Sequence, residues 1–170
     1  MRTFEEFKAE ILTRAKAASA CTDQYKRAYA AHDFSELFAV IKDNFSWCCN
    51  NKVIDADMIV SVCEDAARCD VWCNVDVATG FALATGTATV WAYGSATVWA
   101  TGTATVRATG TATVWAYGTA TVRAYGTAYI NVRSDMDCKI SDKAIMRCRD
   151  TDEIMIVAGS LKIKEIEVTE

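Results

Sequence analysis

From Gly86 the chain repeats itself every eight residues. Gly86-Thr-Ala-Thr-Val-Trp-Ala-Tyr is followed by Gly94-Ser-Ala-Thr-Val-Trp-Ala-Thr, Gly102-Thr-Ala-Thr-Val-Arg-Ala-Thr, Gly110-Thr-Ala-Thr-Val-Trp-Ala-Tyr and Gly118-Thr-Ala-Thr-Val-Arg-Ala-Tyr. Gly126-Thr-Ala-Tyr-Ile-Asn-Val-Arg begins to depart from the pattern. A fixed period of this kind marks an architecture of stacked units, each relying on its neighbours to bury its apolar face.

Inside the octads the alternation is strict. Even positions carry Ala88, Val90, Ala92, Ala96, Val98 and Ala100, with Gly between. Odd positions carry Thr89, Trp91, Tyr93, Thr97 and Trp99. Successive side chains of a strand point to opposite faces, so period two reads as strand, and Thr, Val, Trp and Tyr favour strands. The small face is too small to fill the space between a sheet and a layer of helices. A narrow bore lined by Ala, Val and Gly accounts for it better, which makes the repeat a β-solenoid.

Eight extended residues span only about 27 Å, too little for a coil around a filled core. Sixteen per coil is the preferred reading, with two short strands and a bend near each Gly; twenty-four is the alternative. At sixteen, Trp91, Arg107 and Arg123 share one column, and Trp99 and Trp115 share the opposite one. At twenty-four, Trp91 stacks on Trp115. The repeat then makes about two to three and a half coils, roughly 10–17 Å tall.

Residues 1–70 carry helical signals. Thr3 with Glu6 has capping-box spacing, and Phe4, Phe7, Ile11, Leu12 and Ala15 share one face. A second helix starts at Thr22. Asp33 with Glu36 caps a third, along which Phe34, Leu37, Phe38, Ile41, Phe45 and Cys48 form a stripe ending at Asn50-Asn51. Asp55 caps a fourth. Around 71–83, Val71, Cys73, Val75 and Val77 alternate on odd positions, whereas the small residues lie on even ones from Ala82. A one-residue slip near Thr79-Gly80 is expected. Phe81 and Leu83 then face outward, where the helical front is expected to cover them and protect an open solenoid end.

Residues 131–170 read as further strands. Cys138 with Ile140, then Ala144, Met146 and Cys148, alternate. Arg149–Asp152 and Ala158–Ser160 read as turns around the apolar run Ile154–Val157, and Leu161 to Val168 reads as a last strand. The fold expected is α+β: a small helical bundle (1–70), a short octapeptide-repeat β-solenoid (71–130) and a strand-rich C-terminal cap (131–170). An exposed terminal coil makes a homodimer an expectation as well.

Charge narrows the partners. The net charge is −4 and no segment is a basic block, so a phosphate-driven footprint is absent and direct nucleic-acid binding is not expected. No apolar run reaches spanning length and the first residues are charged and amphipathic, so no membrane partner and a cytoplasmic location are expected. The eight Cys then read as free thiols.

Catalytic and metal signals are weak. Cys48-Cys49, Cys63, Cys69 and Cys73 lack the paired short spacing of zinc sites and read as core cysteines. His32 is the single histidine and stands in no motif. The acidic groups Asp135/Asp137 and Asp150/Asp152/Glu153 read as solvated turns, and no phosphate loop or dinucleotide fingerprint is present. No metal or cofactor is expected.

Two surfaces remain. Thr-x-Thr ranks such as Thr103-Ala-Thr105 resemble those of ice-binding β-solenoids, which implies an ice-binding alternative. The outward Trp91, Tyr93, Trp99, Arg107, Trp115, Tyr117, Arg123 and Tyr125 are of the types that dominate protein interfaces. The same residues would also make a self-contained stacking ladder.

The octad, as in Ala92-Tyr-Gly-Ser-Ala-Thr-Val-Trp99, resembles the repeats of small uncharacterised bacterial and phage proteins with a helical front. The resemblance covers 84–130 and, loosely, the helices. It implies no catalytic residue. A phage setting implies a host-directed inhibitor of the anti-CRISPR kind, gripping a nuclease or nucleoprotein complex. The function expected is a non-enzymatic protein-binding scaffold with those eight residues as its contact set. Ice binding is the alternative, and a small enzyme of unknown class the second.

Overall fold

The structure is a computed structural model and describes residues 1–133 and 136–161. Six helices lead: α1 (Phe4–Ala17), α2 (Thr22–Ala30), α3 (Phe34–Asp43), α4 (Phe45–Asn50), α5 (Ala56–Ser61) and α6 (Cys63–Arg68). The caps are the ones the sequence marks. Thr3 and Glu6 form a complete capping box, and the Asp33 and Asp55 carboxylates accept from the Glu36 and Met58 amides.

Two expected helices are each broken once. Asn44 turns its side-chain amide back onto the Val40 carbonyl at 2.9 Å, and the chain restarts as α4. Ser61 likewise donates to the Met58 carbonyl at 2.7 Å, just before the break at Val62. Such local side-chain bonds compete with the helical ladder. The breaks fold the apolar stripe around one core, in which Phe7 and Phe38 meet at 5.5 Å and Phe4 meets the edge of Phe34 at 5.4 Å.

The remainder is a flattened β-solenoid with two strands per coil. One sheet runs β1 (Val71–Cys73), β2 (Phe81–Ala84), β4 (Thr97–Ala100), β6 (Thr113–Ala116), β8 (Tyr129–Val132), β10 (Ile145–Cys148) and β11 (Ile154–Ile156). The other runs β3 (Thr89–Ala92), β5 (Thr105–Ala108), β7 (Thr121–Ala124) and β9 (Cys138–Ile140). Partners are sixteen residues apart throughout the repeat: Phe81 with Thr97, Thr97 with Thr113, Thr89 with Thr105. Four such steps separate β2 from β10, about 19 Å at strand spacing. The stack is taller than expected because the coil does not stop at 130.

The tail continues the same octads in disguise. Asp142 takes the corner place of Gly with φ of 56°, a conformation that Asp tolerates better than most residues. Its carboxylate accepts the Gly126 amide at 3.1 Å. Ala144 is fully buried in the solenoid core, one coil on from Ala128. Only β11 reverses direction, pairing antiparallel with β10. The turns expected at Arg149–Asp152 and Ala158–Ser160 are present. The strand expected from Leu161 to Val168 falls, beyond Leu161, outside the described residues.

The bore is lined by Ala and Val without the glycines. Ala and Val at even positions are sealed inside, from Val90 and Ala92 to Val122 and Ala124. The glycines are not inside; they stand at the corners with positive φ. Gly110 shows why: at φ +67°, an added Cβ would meet the Gly94 backbone oxygen of the coil below at 3.0 Å. Bulkier residues stop the ends. Trp72 packs on the first coil, and Met136, Cys138, Ile140 and Met146 pack on the last.

The slip near Gly80 is real but has a particular form. β1 pairs with β2 only ten residues away, Val71 with Phe81. This sends Trp72 to the bore and Val71 to the helices. Val77 then bridges to Ala92 and enters the bore, while Val75 is left exposed.

Candidate binding surface

Sixteen residues per coil divide the eight outward residues between two faces. On the β2-β4-β6-β8 sheet stand Trp99, Trp115 and Tyr117. On the β3-β5-β7-β9 sheet stand Trp91, Tyr93, Arg107, Arg123 and Tyr125. The two groups have opposite fates.

The first face is covered by the chain's own helices. Leu83 and Trp99 are each 3% exposed and share a cluster with Phe38, Ile41 and Phe45. Phe45 of α4 meets Phe81 of β2 at 4.8 Å, so the expected docking over Phe81 and Leu83 is present and reaches one coil further. Trp99 stacks on Trp115 at 6.2 Å and on Tyr117 at 4.2 Å. Arg149 lies over Tyr117 at 3.9 Å and donates to the Ala116 carbonyl at 3.1 Å. Burial pushes the Tyr117 phenol up, and the adjacent Arg149 partly offsets this. Trp115 and Tyr117 are half-buried. Here the ladder reading applies, and Trp99 is not available to another molecule.

The second face is open. Trp91, Tyr93 and Tyr125 are 43, 44 and 39% exposed. Arg107 lies over the Trp91 ring at 4.8 Å, a cation–π contact that holds both flat. Arg123 follows in the same column, and the next coil adds Lys139; both are exposed. None of the three cations is in an ion pair among the described residues, and the Arg107 Nε has no hydrogen-bond partner. Lys139 was not marked in the sequence, although its sixteen-residue spacing from Arg123 would have found it.

The other candidates do not assemble into sites. Thr103, Thr111, Thr119 and Thr127 donate their hydroxyls to the glycine carbonyls of the coil below at 2.8–3.1 Å. At sixteen residues per coil the Thr-x-Thr ranks are split between the two sides of the solenoid, Thr103 and Thr119 on one and Thr111 and Thr127 on the other. His32 is exposed, and its amide donates to the Glu36 carboxylate at 2.8 Å. Among the described residues, no group of three His, Cys, Asp or Glu could hold a metal. Asp150 pairs with Arg133, and Asp152 with Arg147. No helix among the described residues is long and apolar enough to cross a membrane.

Comparison with known protein families, with curated proteins and with solved structures gives no match, which leaves the open aromatic and cationic face as the feature on which a functional reading rests.

Proposed function

We propose that this chain is a non-enzymatic scaffold that grips an acidic surface of a partner protein with the outer face of the β3-β5-β7-β9 sheet. The observation that carries the reading is the contrast between the two faces. On one face the helices bury Trp99 and leave Trp115 and Tyr117 half-buried, whereas Trp91, Tyr93 and Tyr125 face solvent beside three aligned cations in a chain of net charge −4. Trp, Tyr and Arg are the residues most enriched at interface hot spots. A rigid sheet also presents them with little ordering left to do on binding.

Size limits the contact. Three strand spacings by four residues cover about 14 by 13 Å, far below the roughly 800 Å² per partner of a standard interface. The partner must therefore also reach the Gly-Thr corners beside the sheet. The cationic charge bears on the inhibitor reading too. A nuclease held by this face would be gripped at an acidic patch outside its cationic nucleic-acid channel.

The test uses the tagged chain as bait beside a Trp91→Ala/Arg123→Glu double variant, with nuclease treatment and graded salt. A stoichiometric protein retained by the wild-type chain, resistant to nuclease and lost from the variant, is the expected result. Equal capture by both baits, or capture that disappears with nuclease, contradicts the reading.

A further inference from the structure

A second candidate site lies in the helices, away from both sheet faces. Between α1, α2, α3 and α4 is a cavity of about 190 Å³. Ala15, Ala28, Ile41 and Val53 line it and are buried, and the small alanines leave the space unfilled. Its mouth passes Ala20 and the half-exposed Trp47. Among the polar side chains lining it, Gln24 and Asn44 are joined to each other. The Asn44 amide donates to the Gln24 carbonyl oxygen at 3.2 Å and to the Val40 carbonyl at 2.9 Å. This leaves the Asn44 side-chain oxygen to accept and the Gln24 amide to donate.

From this geometry we infer that the helical bundle binds a small, single-ring aromatic molecule bearing one hydroxyl. Volume sets the size. Apolar protein cavities of about 150 Å³ stay dry and take up benzene, so this one holds a ring with a small substituent. It is well below the roughly 300 Å³ at which sites for drug-sized ligands begin. Chemistry sets the class. The walls are mainly apolar, with Tyr25, Trp47, Cys21 and Cys48 beside the aliphatic side chains, no charged side chain lines the cavity, and an ion would lose its hydration there without a counter-charge. A ring hydroxyl directed at Asn44 and Gln24 satisfies that polar pair. Ile41 of α3 lines the cavity and belongs to the same core cluster as Trp99, so occupancy stabilises the same core that covers the solenoid.

The experiment titrates the intact chain with phenol and, separately, toluene, reading methyl NMR shifts and the thermal midpoint. The expected result is saturable shifts centred on Ile11, Ile41 and Val53, a raised midpoint, and tighter binding of phenol than toluene. In Asn44→Ala the preference for phenol shrinks at least threefold while toluene still binds. Ala28→Leu fills the cavity and abolishes both shifts; Ala20→Leu, in the less crowded loop at the mouth, does the same if Ala28→Leu fails to fold. Shifts that do not saturate, that spread over the solenoid, or that persist in a folded filled-cavity variant overturn the proposal.

Discussion

Trp99 and Trp115 occupy the same place in successive coils and stack at 6.2 Å with 20° between their planes, yet Trp99 is 3% exposed whereas Trp115 is half-buried. Their octads are nearly identical. What differs is how far the helices reach across the sheet. The first two predictions follow from that boundary and from the spacing between coils.

Trp99→Ala removes a large side chain from the junction of bundle and solenoid. A loss of about 3–5 kcal/mol is expected, as for other buried aromatic truncations. Trp91→Ala, on the open face, is expected to change stability by less than about 1 kcal/mol, the loss being confined to its contact with Arg107. Urea denaturation of both variants checks the contrast. Equal losses would mean that the helices do not cover the β4 strand.

Gly110→Ala is expected to destabilise by at least 1–2 kcal/mol from its positive φ alone, with the 3.0 Å approach to the Gly94 oxygen adding to it. Gly86→Ala has the same backbone but open space around it, so it should suffer only the conformational cost. Thermal unfolding of the pair separates strain from crowding; a Gly86→Ala loss as large as that of Gly110→Ala would contradict the coil spacing.

The solenoid was legible because Ala and Val alternate without interruption, which leaves no other place for the small face than a bore. Chain length excluded eight per coil but left sixteen and twenty-four open, and the register of Thr97 with Thr113 decides for sixteen. The end of the stack was not legible. Asp142 at a glycine corner and Met146 at a valine position look like ordinary tail residues until the register with Gly126 and Ile130 is seen. The helix breaks at Asn44 and Val62 were also hidden, because the apolar stripe runs straight across them. The partition of the eight outward residues depends on a contact between Phe45 and Phe81, thirty-six positions apart. No local pattern encodes that distance, so Trp99 looked the same as Trp91.

The thiols give a pH prediction. Burial pushes Cys48 up to about 12 and Cys138 to about 11, and raises Cys49 further with Cys48 beside it. In the unfolded chain these thiols ionise near 9. Their folded values are raised, so their stabilisation is complete below pH 9 and is lost as pH climbs from 9 towards 12. Each contributes a slope of up to about 1.4 kcal/mol per pH unit there. Denaturation midpoints should be flat from pH 7 to 8 and fall above 9, and Cys48→Ala should remove one proton from that slope. A slope unchanged by Cys48→Ala would contradict its burial.

Cys21 and Cys63 are exposed, whereas Cys48, Cys49 and Cys148 are buried. Under native conditions iodoacetamide should therefore label Cys21 and Cys63 first and leave Cys48 and Cys49 unlabelled until the bundle opens. Peptide mapping over time checks the order, and early labelling of Cys48 would contradict the helical core.

The central claim is that the open face, not the covered one, meets the partner. Its most direct test is the affinity of the captured partner for the wild-type chain and for Trp91→Ala/Arg123→Glu, with the unfolding free energy of each measured alongside. The account predicts at least a tenfold loss of affinity, about 1.4 kcal/mol, with unfolding free energy changed by less than about 1 kcal/mol. Unchanged affinity in the folded double variant would contradict it.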